Sequence, residues 1–346
     1  MTDLRKDIVK ENVVETVSMA QKKGITGTAL KLIAIIAMFI DHFAAIYLEG
    51  LIETKAPAAL EGADMMQWYV QHPSILVLLM IMIVMRLIGR FGFPIFAFLI
   101  VEGFEHTHSV ARYACNLAIF ALISEIPFNL GFQSRMFAPI YQNVFFTLLL
   151  GLLCIWVIRE LGESGKTFRV LCLLRYPAAA VGGAYAVFLL LRDTMTGAFI
   201  PESISNHIFI YLIGAVVVLV VVMLVGRNWD EQQKKQFAVT ILALIFFSGI
   251  AELIKTDYGA GGVLTIGILY LLRRRKMLAF SMACLELTVM SIMEITAFFM
   301  LIPIAKYNGS RGKKINKYIF YAFYPVHILL IYLLTLMLHY TTFSIR

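Results

Sequence analysis

Residues 30–48 read LKLIAIIAMFIDHFAAIYL (Leu30 to Leu48), an apolar run that nonetheless holds Lys31, Asp41 and His42. About 20 apolar residues cross a hydrocarbon core as a helix. An ionisable group inside such a helix costs roughly 2.5–3.5 kcal/mol on insertion scales. Three together are hard to explain as tolerated accidents and point to a site within the membrane.

The rest of the chain has the same texture. Of its 346 residues 60% are hydrophobic and 15% charged, with a mean hydropathy of +0.82, unlike a soluble domain. Apolar runs at 29–49, 75–104, 112–130, 142–159, 173–191, 206–226, 236–254, 259–272, 277–304 and 318–340 predict about ten transmembrane helices. The runs are uniformly apolar instead of alternating, so helices and not a barrel satisfy the backbone in lipid. The expected fold is all-α, a polytopic integral membrane bundle. The run 75–104 contains Gly89, Arg90, Gly92 and Pro94 and predicts a tilted, kinked or broken helix. Residues 1–28 are charged and mildly amphipathic and are read as a cytoplasmic juxtamembrane segment, before a transmembrane domain over 29–340 and a short tail at 341–346.

The net charge is +8, but the basic residues cluster at the ends of apolar runs, where they set orientation and do not bind nucleic acid. Five Lys/Arg precede the first run and Arg273, Arg274, Arg275 and Lys276 follow the eighth, whereas the first loop carries Glu49, Glu53, Glu61 and Asp64. This places the N-terminus in the cytoplasm. With ten spans, however, Lys306, Arg311, Lys313, Lys314 and Lys317 fall on the opposite side. Either the count is off by one or that loop is basic for function. Four scattered cysteines suit neither a disulfide framework nor a metal site. DYGAGG, Asp257 to Gly262, reads as a membrane-edge turn with close helix contact.

Chemistry must come from polar residues inside the runs. Lys31 and His42 are eleven residues apart, within about 20° of one helix face and ~16 Å apart along it. The bland reading is that Lys31 snorkels and His42 hydrogen-bonds a neighbouring helix. Asp41 is rotated by ~100° from His42, so an acid from another helix, Glu102 or Glu125, would orient the imidazole better. Arg86 and Arg90 share a face four residues apart, a spacing suited to phosphates or to pairing with those glutamates. Glu252, Glu286 and Glu294 have weaker claims. His106 and His108 lie in a loop, and His327 sits in an aromatic belt or lines a cavity.

Several stretches together, in order, resemble the TraX family: LKLIAIIAMFIDHFAAIYL (Leu30 to Leu48), RLIGRFGFPIFAFLIVEGFEHT (Arg86 to Thr107), FALISEIPFNLGF (Phe120 to Phe132), QNVFFTLLLGLL (Gln142 to Leu153), DYGAGGVLTIGILY (Asp257 to Tyr270) and YNGSRGKKINKYIFYAFYPVHILLIYL (Tyr307 to Leu333). That family is named for membrane proteins that acetylate the N-terminus of F-type conjugative pilin. It looks like a branch of the transmembrane acyltransferases, whose first helix carries a basic residue and a His about eleven apart. Lys31 stands where Arg is usual, a change that removes the bidentate fork.

The resemblance implies an acetyltransferase of the bacterial cytoplasmic membrane with acetyl-CoA as co-substrate. Lys31, Arg86 and Arg90 would meet its phosphates. His42 would act as base or nucleophile, its pKa and tautomer set by Glu102 or Glu125, with Asp41 beside it. The acceptor is left open as a peptide or protein N-terminus, a sugar or a lipid. Buried charges and broken helices also describe a secondary transporter, with Asp41, His42, Glu102 and Glu125 as a proton relay. No repeat relates 29–170 to 171–340, which favours the enzyme. A non-catalytic membrane partner is the third reading, and His42 speaks against it.

Overall fold

The computed structural model describes residues 24–57, 62–138, 140–162, 172–192 and 208–343. Its helices are α1 (Gly27–Glu53), α2 (Gly62–Gln71), α3 (Pro73–Gly89), α4 (Gly92–His106), α5 (Val110–Gln133), α6 (Val144–Gly162), α7 (Arg175–Arg192), α8 (Ile208–Val225), α9 (Glu231–Leu253), α10 (Gly259–Leu271), α11 (Lys276–Met290), α12 (Ile292–Ala305) and α13 (Lys317–Phe343). No strand occurs among the described residues. Seven stretches are long and apolar enough to cross a membrane: α1, α3 with α4, α5, α6, α8 with its 3-10 end, α9 and α13. The protein is the expected helical membrane bundle. The surface segment expected over 1–28 lies, for residues 1–23, outside the described residues, as do 344–346 of the tail.

Helix starts follow local chemistry. Thr26, Ser109 and Asn143 accept a backbone N–H from Ala29, Arg112 and Phe145, and Asp230 forms a capping box with Gln233, so the unpaired donors of each first turn are satisfied. The run 75–104 is broken as expected, between Gly89 and Gly92. Pro94 is the third residue of α4, a position where its missing N–H costs nothing because that donor has no intrahelical acceptor.

The run 277–304 behaves differently from the expected single span. α11 and α12 meet at Ser291, whose backbone is extended (φ −149°, ψ 126°), and the chain turns back. The Lys276 ammonium donates to the Tyr307 carbonyl (2.9 Å), and the Ile25 N–H donates to the Lys306 carbonyl (2.9 Å). Both ends of the α11–α12 hairpin therefore lie on the face where α1 begins. The turn is held by polar contacts to the broken helix: Arg90 donates to Glu294 (3.2 Å) and Thr296 to the Leu87 carbonyl (2.8 Å). The basic 306–317 loop therefore lies on the face where α1 begins.

The core packs Leu30, Ile95, Phe104, Leu152, Ile155, Tyr270 and Phe280 of α1, α4, α6, α10 and α11. The DYGAGG turn is a close-contact point, as read: Tyr258 and Gly259 have positive φ (65° and 44°), and a Cβ at Gly261 or Gly262 would overlap Met290 or Thr147.

Candidate active site

One cavity of about 840 Å³ runs from the face where α1 begins into the middle of the bundle. Lys31, Arg112, Arg311 and Lys317 line it at the outer end, and His42, Asp41, Arg86, Arg90 and Asp257 line its inner part. Asp41 lies fourteen residues into α1, so the inner end is about 21 Å along the helix axis from the mouth.

His42 is buried, and its Nδ1 lies 2.7 Å from Nε2 of His327 on α13. The two rings are within 5° of parallel with centroids 4.9 Å apart, a separation close to the N–N distance plus two ring radii. The contact is thus an in-plane hydrogen bond and not a stack of faces. His327 Nδ1 lies 2.6 Å from the Phe323 carbonyl. A carbonyl only accepts, so His327 Nδ1 carries a proton. With both rings neutral, His327 Nε2 must then accept and His42 Nδ1 must donate. His42 Nε2 is left with a free lone pair at the cavity. Phe132 (5.4 Å) and Tyr324 (5.6 Å) enclose the His42 ring edge-on. This overturns the expectation that Glu102 or Glu125 orients His42. Glu102 accepts from the Tyr307 hydroxyl (3.0 Å), and Glu125 accepts from the backbone and side chain of Asn143 (3.1 and 2.5 Å).

The inner end is a charged floor. Asp41 accepts from Arg86 (2.7 Å) and lies 3.7 Å from Arg90, which also donates to Glu294 (3.2 Å). The two arginines therefore pair with acids, but with Asp41 and Glu294 and not with Glu102 or Glu125. Gly89 makes room for Asp41, since a Cβ there would overlap its carboxylate. Asp41 Oδ1, Glu294 Oε2 and Arg90 Nε are buried without a hydrogen-bond partner. Asp257 accepts from the Tyr141 hydroxyl (2.7 Å) at the rim of this floor. The four residues of the expected proton relay, Asp41, His42, Glu102 and Glu125, each have a partner outside the group, and no hydrogen bond links them.

The mouth is built by the loop after α12. Asn308 N–H donates to the Ile25 carbonyl, while Gly27 and Thr28 N–H donate to the Ser310 and Arg311 carbonyls (2.9 to 3.0 Å). Thr28 Oγ1 adds bonds to the Arg311 and Lys313 carbonyls (2.8 and 2.9 Å). YNGSRG thus caps the first turn of α1 and brings Arg311 to the mouth beside Lys31, whose ammonium sits 5.3 Å from the centre of the Phe320 ring. Gly309 and Gly312 take φ of 73° and 80°, the left-handed region open to glycine. Burial and the Glu102 carboxylate push the Tyr307 phenol up from its usual range, so it stays a neutral donor.

Of the sequence-derived candidates, Lys31, Asp41, His42, Arg86, Arg90 and Glu102 share one cavity and Glu125 lies outside it. Arg311 and Asp257 also line the cavity, while His327 and Glu294 stand behind it and hold His42 and Arg90. Two lone histidines in separate apolar runs were a signal for His327. Nothing in the spacing signals Glu294, because its partner lies 204 residues away.

A family model described as TraX protein matches residues 26–196 and 204–335. No curated protein and no solved structure matches the chain.

Proposed function

The chain belongs to the TraX family, and on that premise we propose that it is a membrane acetyltransferase using acetyl-CoA, with His42 as general base. The observation that carries this reading is His42 Nε2, left without a partner among the described residues, in the inner part of a cavity whose mouth holds four cations. Acetyl-CoA lays its phosphates on Lys31, Arg112, Arg311 and Lys317, where ammonium and guanidinium donors face an anion from several sides. Its pantetheine arm follows the cavity inward and presents the thioester at His42, about 16 Å deeper than Lys31 along α1. Arg86 and Arg90, matched by Asp41 and Glu294, serve the floor and not the phosphates.

The acceptor, an amine or a hydroxyl, has its polar head at the floor, where Asp41 Oδ1 and Arg90 Nε, on residues that line the cavity, lack hydrogen-bond partners. Its nitrogen or oxygen attacks the thioester carbon as His42 Nε2 removes the proton. The C–S bond then breaks, and the thiolate takes that proton from His42 to leave as CoA. An α-amine, with an unperturbed pKa near 8, asks only modest help from the base. The basic loops on the face of the mouth fit a cytoplasmic mouth, where acetyl-CoA is supplied.

The test is binding of radiolabelled acetyl-CoA to the purified protein in detergent with CoA as competitor, followed by transfer to peptides with free or blocked α-amines. Saturable, CoA-displaceable binding is expected, together with transfer that His42→Ala abolishes. Full transfer by His42→Ala removes His42 from the mechanism.

A further inference from the structure

The pairing of His42 with His327 does more than fill a polar gap between helices. Among the described residues the only acceptor that His42 Nδ1 meets is His327 Nε2, and His327 is itself anchored by a backbone carbonyl four residues earlier on α13. The order carbonyl, His327, His42, cavity is directional, because its first member cannot donate. Resting on the reading of His42 as base, we propose that His327 is its positioning residue: it fixes His42 as the Nδ1–H tautomer and receives the proton displaced when His42 Nε2 takes one from the acceptor.

The proton count closes. The acceptor's proton bonds to His42 Nε2, and the His42 Nδ1 proton moves along the 2.7 Å bond to His327 Nε2. Positive charge then rests on His327, whose Nδ1–H stays with the Phe323 carbonyl. When the C–S bond breaks, His42 Nε2–H protonates the CoA thiolate and the proton on His327 Nε2 returns to His42 Nδ1. Both rings end as they began.

The backbone supports this placement. A π-helical stretch, Ala44–Leu48, begins two residues after His42, a deviation that often accompanies functional sites. Within it Ile46 packs with Ile328 of α13 over Gly131 of α5, where a Cβ would come within 2.7 Å of Ile328 and 3.0 Å of Ile46. A larger residue at 131 would push α1 and α13 away from α5 at the level of the dyad.

The experiment reads the tautomer directly. Full-length protein labelled with 15N-histidine is compared with His327→Gln and His327→Phe, the His42 signals being assigned by subtraction of His42→Ala. Nitrogen shifts then report which His42 nitrogen carries the proton, and thermal unfolding confirms that each variant is folded. Glutamine places an acceptor oxygen near the position of His327 Nε2 but does not carry a proton onward. His42 should therefore be Nδ1–H in the native protein and in His327→Gln, and should shift toward Nε2–H in His327→Phe. In transfer assays His327→Gln should keep KM and lose about tenfold or more in kcat, and His327→Phe about a hundredfold. Native His42 protonated at Nε2, or an unchanged tautomer in His327→Phe, overturns the positioning role. An undiminished kcat in His327→Gln overturns the relay. Because the tautomer is read without turnover, these outcomes are separate from a failure of His42→Ala to abolish transfer.

Discussion

Replacing Asp41 by Asn should destabilise the bundle strongly while leaving donor binding intact. Asp41 accepts from Arg86 at 2.7 Å with only 16% and 26% of the two side chains exposed, and it is the one acid among the described residues within ion-pair distance of Arg86. Asn keeps the shape and removes the charge, which strands a guanidinium about 21 Å along α1 from the mouth. Removing one partner of a buried pair costs about 3–5 kcal/mol, whereas replacing both by apolar groups is often close to neutral. Asp41→Asn combined with Arg86→Met should therefore lose less than Asp41→Asn alone, with a coupling of about 2 kcal/mol or more in a double-mutant cycle. The assay is reversible unfolding in mixed detergent and SDS micelles. It is run with acetyl-CoA titration, in which the dissociation constant should change less than twofold. Simple additivity in the cycle would refute the pair as a staple of the floor, and a selective loss of acetyl-CoA binding would return the phosphate role to Arg86.

The remaining expectations are cheaper to test. Lys31→Ala and Arg311→Ala should each weaken acetyl-CoA binding about tenfold, the ~1.4 kcal/mol of one charge-assisted contact, with a larger effect at low salt; an affinity indifferent to salt would contradict a cationic mouth. Glu102→Gln should keep transfer within about threefold, since the amide oxygen still accepts from Tyr307; a loss comparable to a missing general base, about a hundredfold or more, would restore Glu102 to the mechanism. Gly312→Ala should destabilise the protein by about 1–3 kcal/mol, because φ is 80° and the added Cβ meets Thr26. Acetyl-CoA affinity should fall with it as Arg311 moves. Unchanged unfolding and binding would show that the loop does not depend on that conformation.

The sequence by itself determined the class of this protein, because the class follows from composition and run length alone. A chain that is 60% hydrophobic in runs near the bilayer span has no soluble solution. The break near Gly89 to Pro94 was legible for the same reason, since proline and glycine act on their own backbone. Lys31 and His42 were legible as one stripe because helical geometry fixes positions eleven apart. What each charged side chain touches was not legible. His42 meets His327 across 285 residues, and Arg90 meets Glu294 across 204. Helix periodicity fixes only the face from which a residue points, and the neighbour on that face is chosen by packing. The hairpin at Ser291 shows the same limit. Hydrophobicity along 277–304 is that of a span, yet the chain turns back where Glu294, Thr296 and Phe299 meet Arg90, Leu87 and Phe91 around the break. That turn carries the basic loop to the mouth beside the start of α1, a placement that tertiary contacts decide and run length could not.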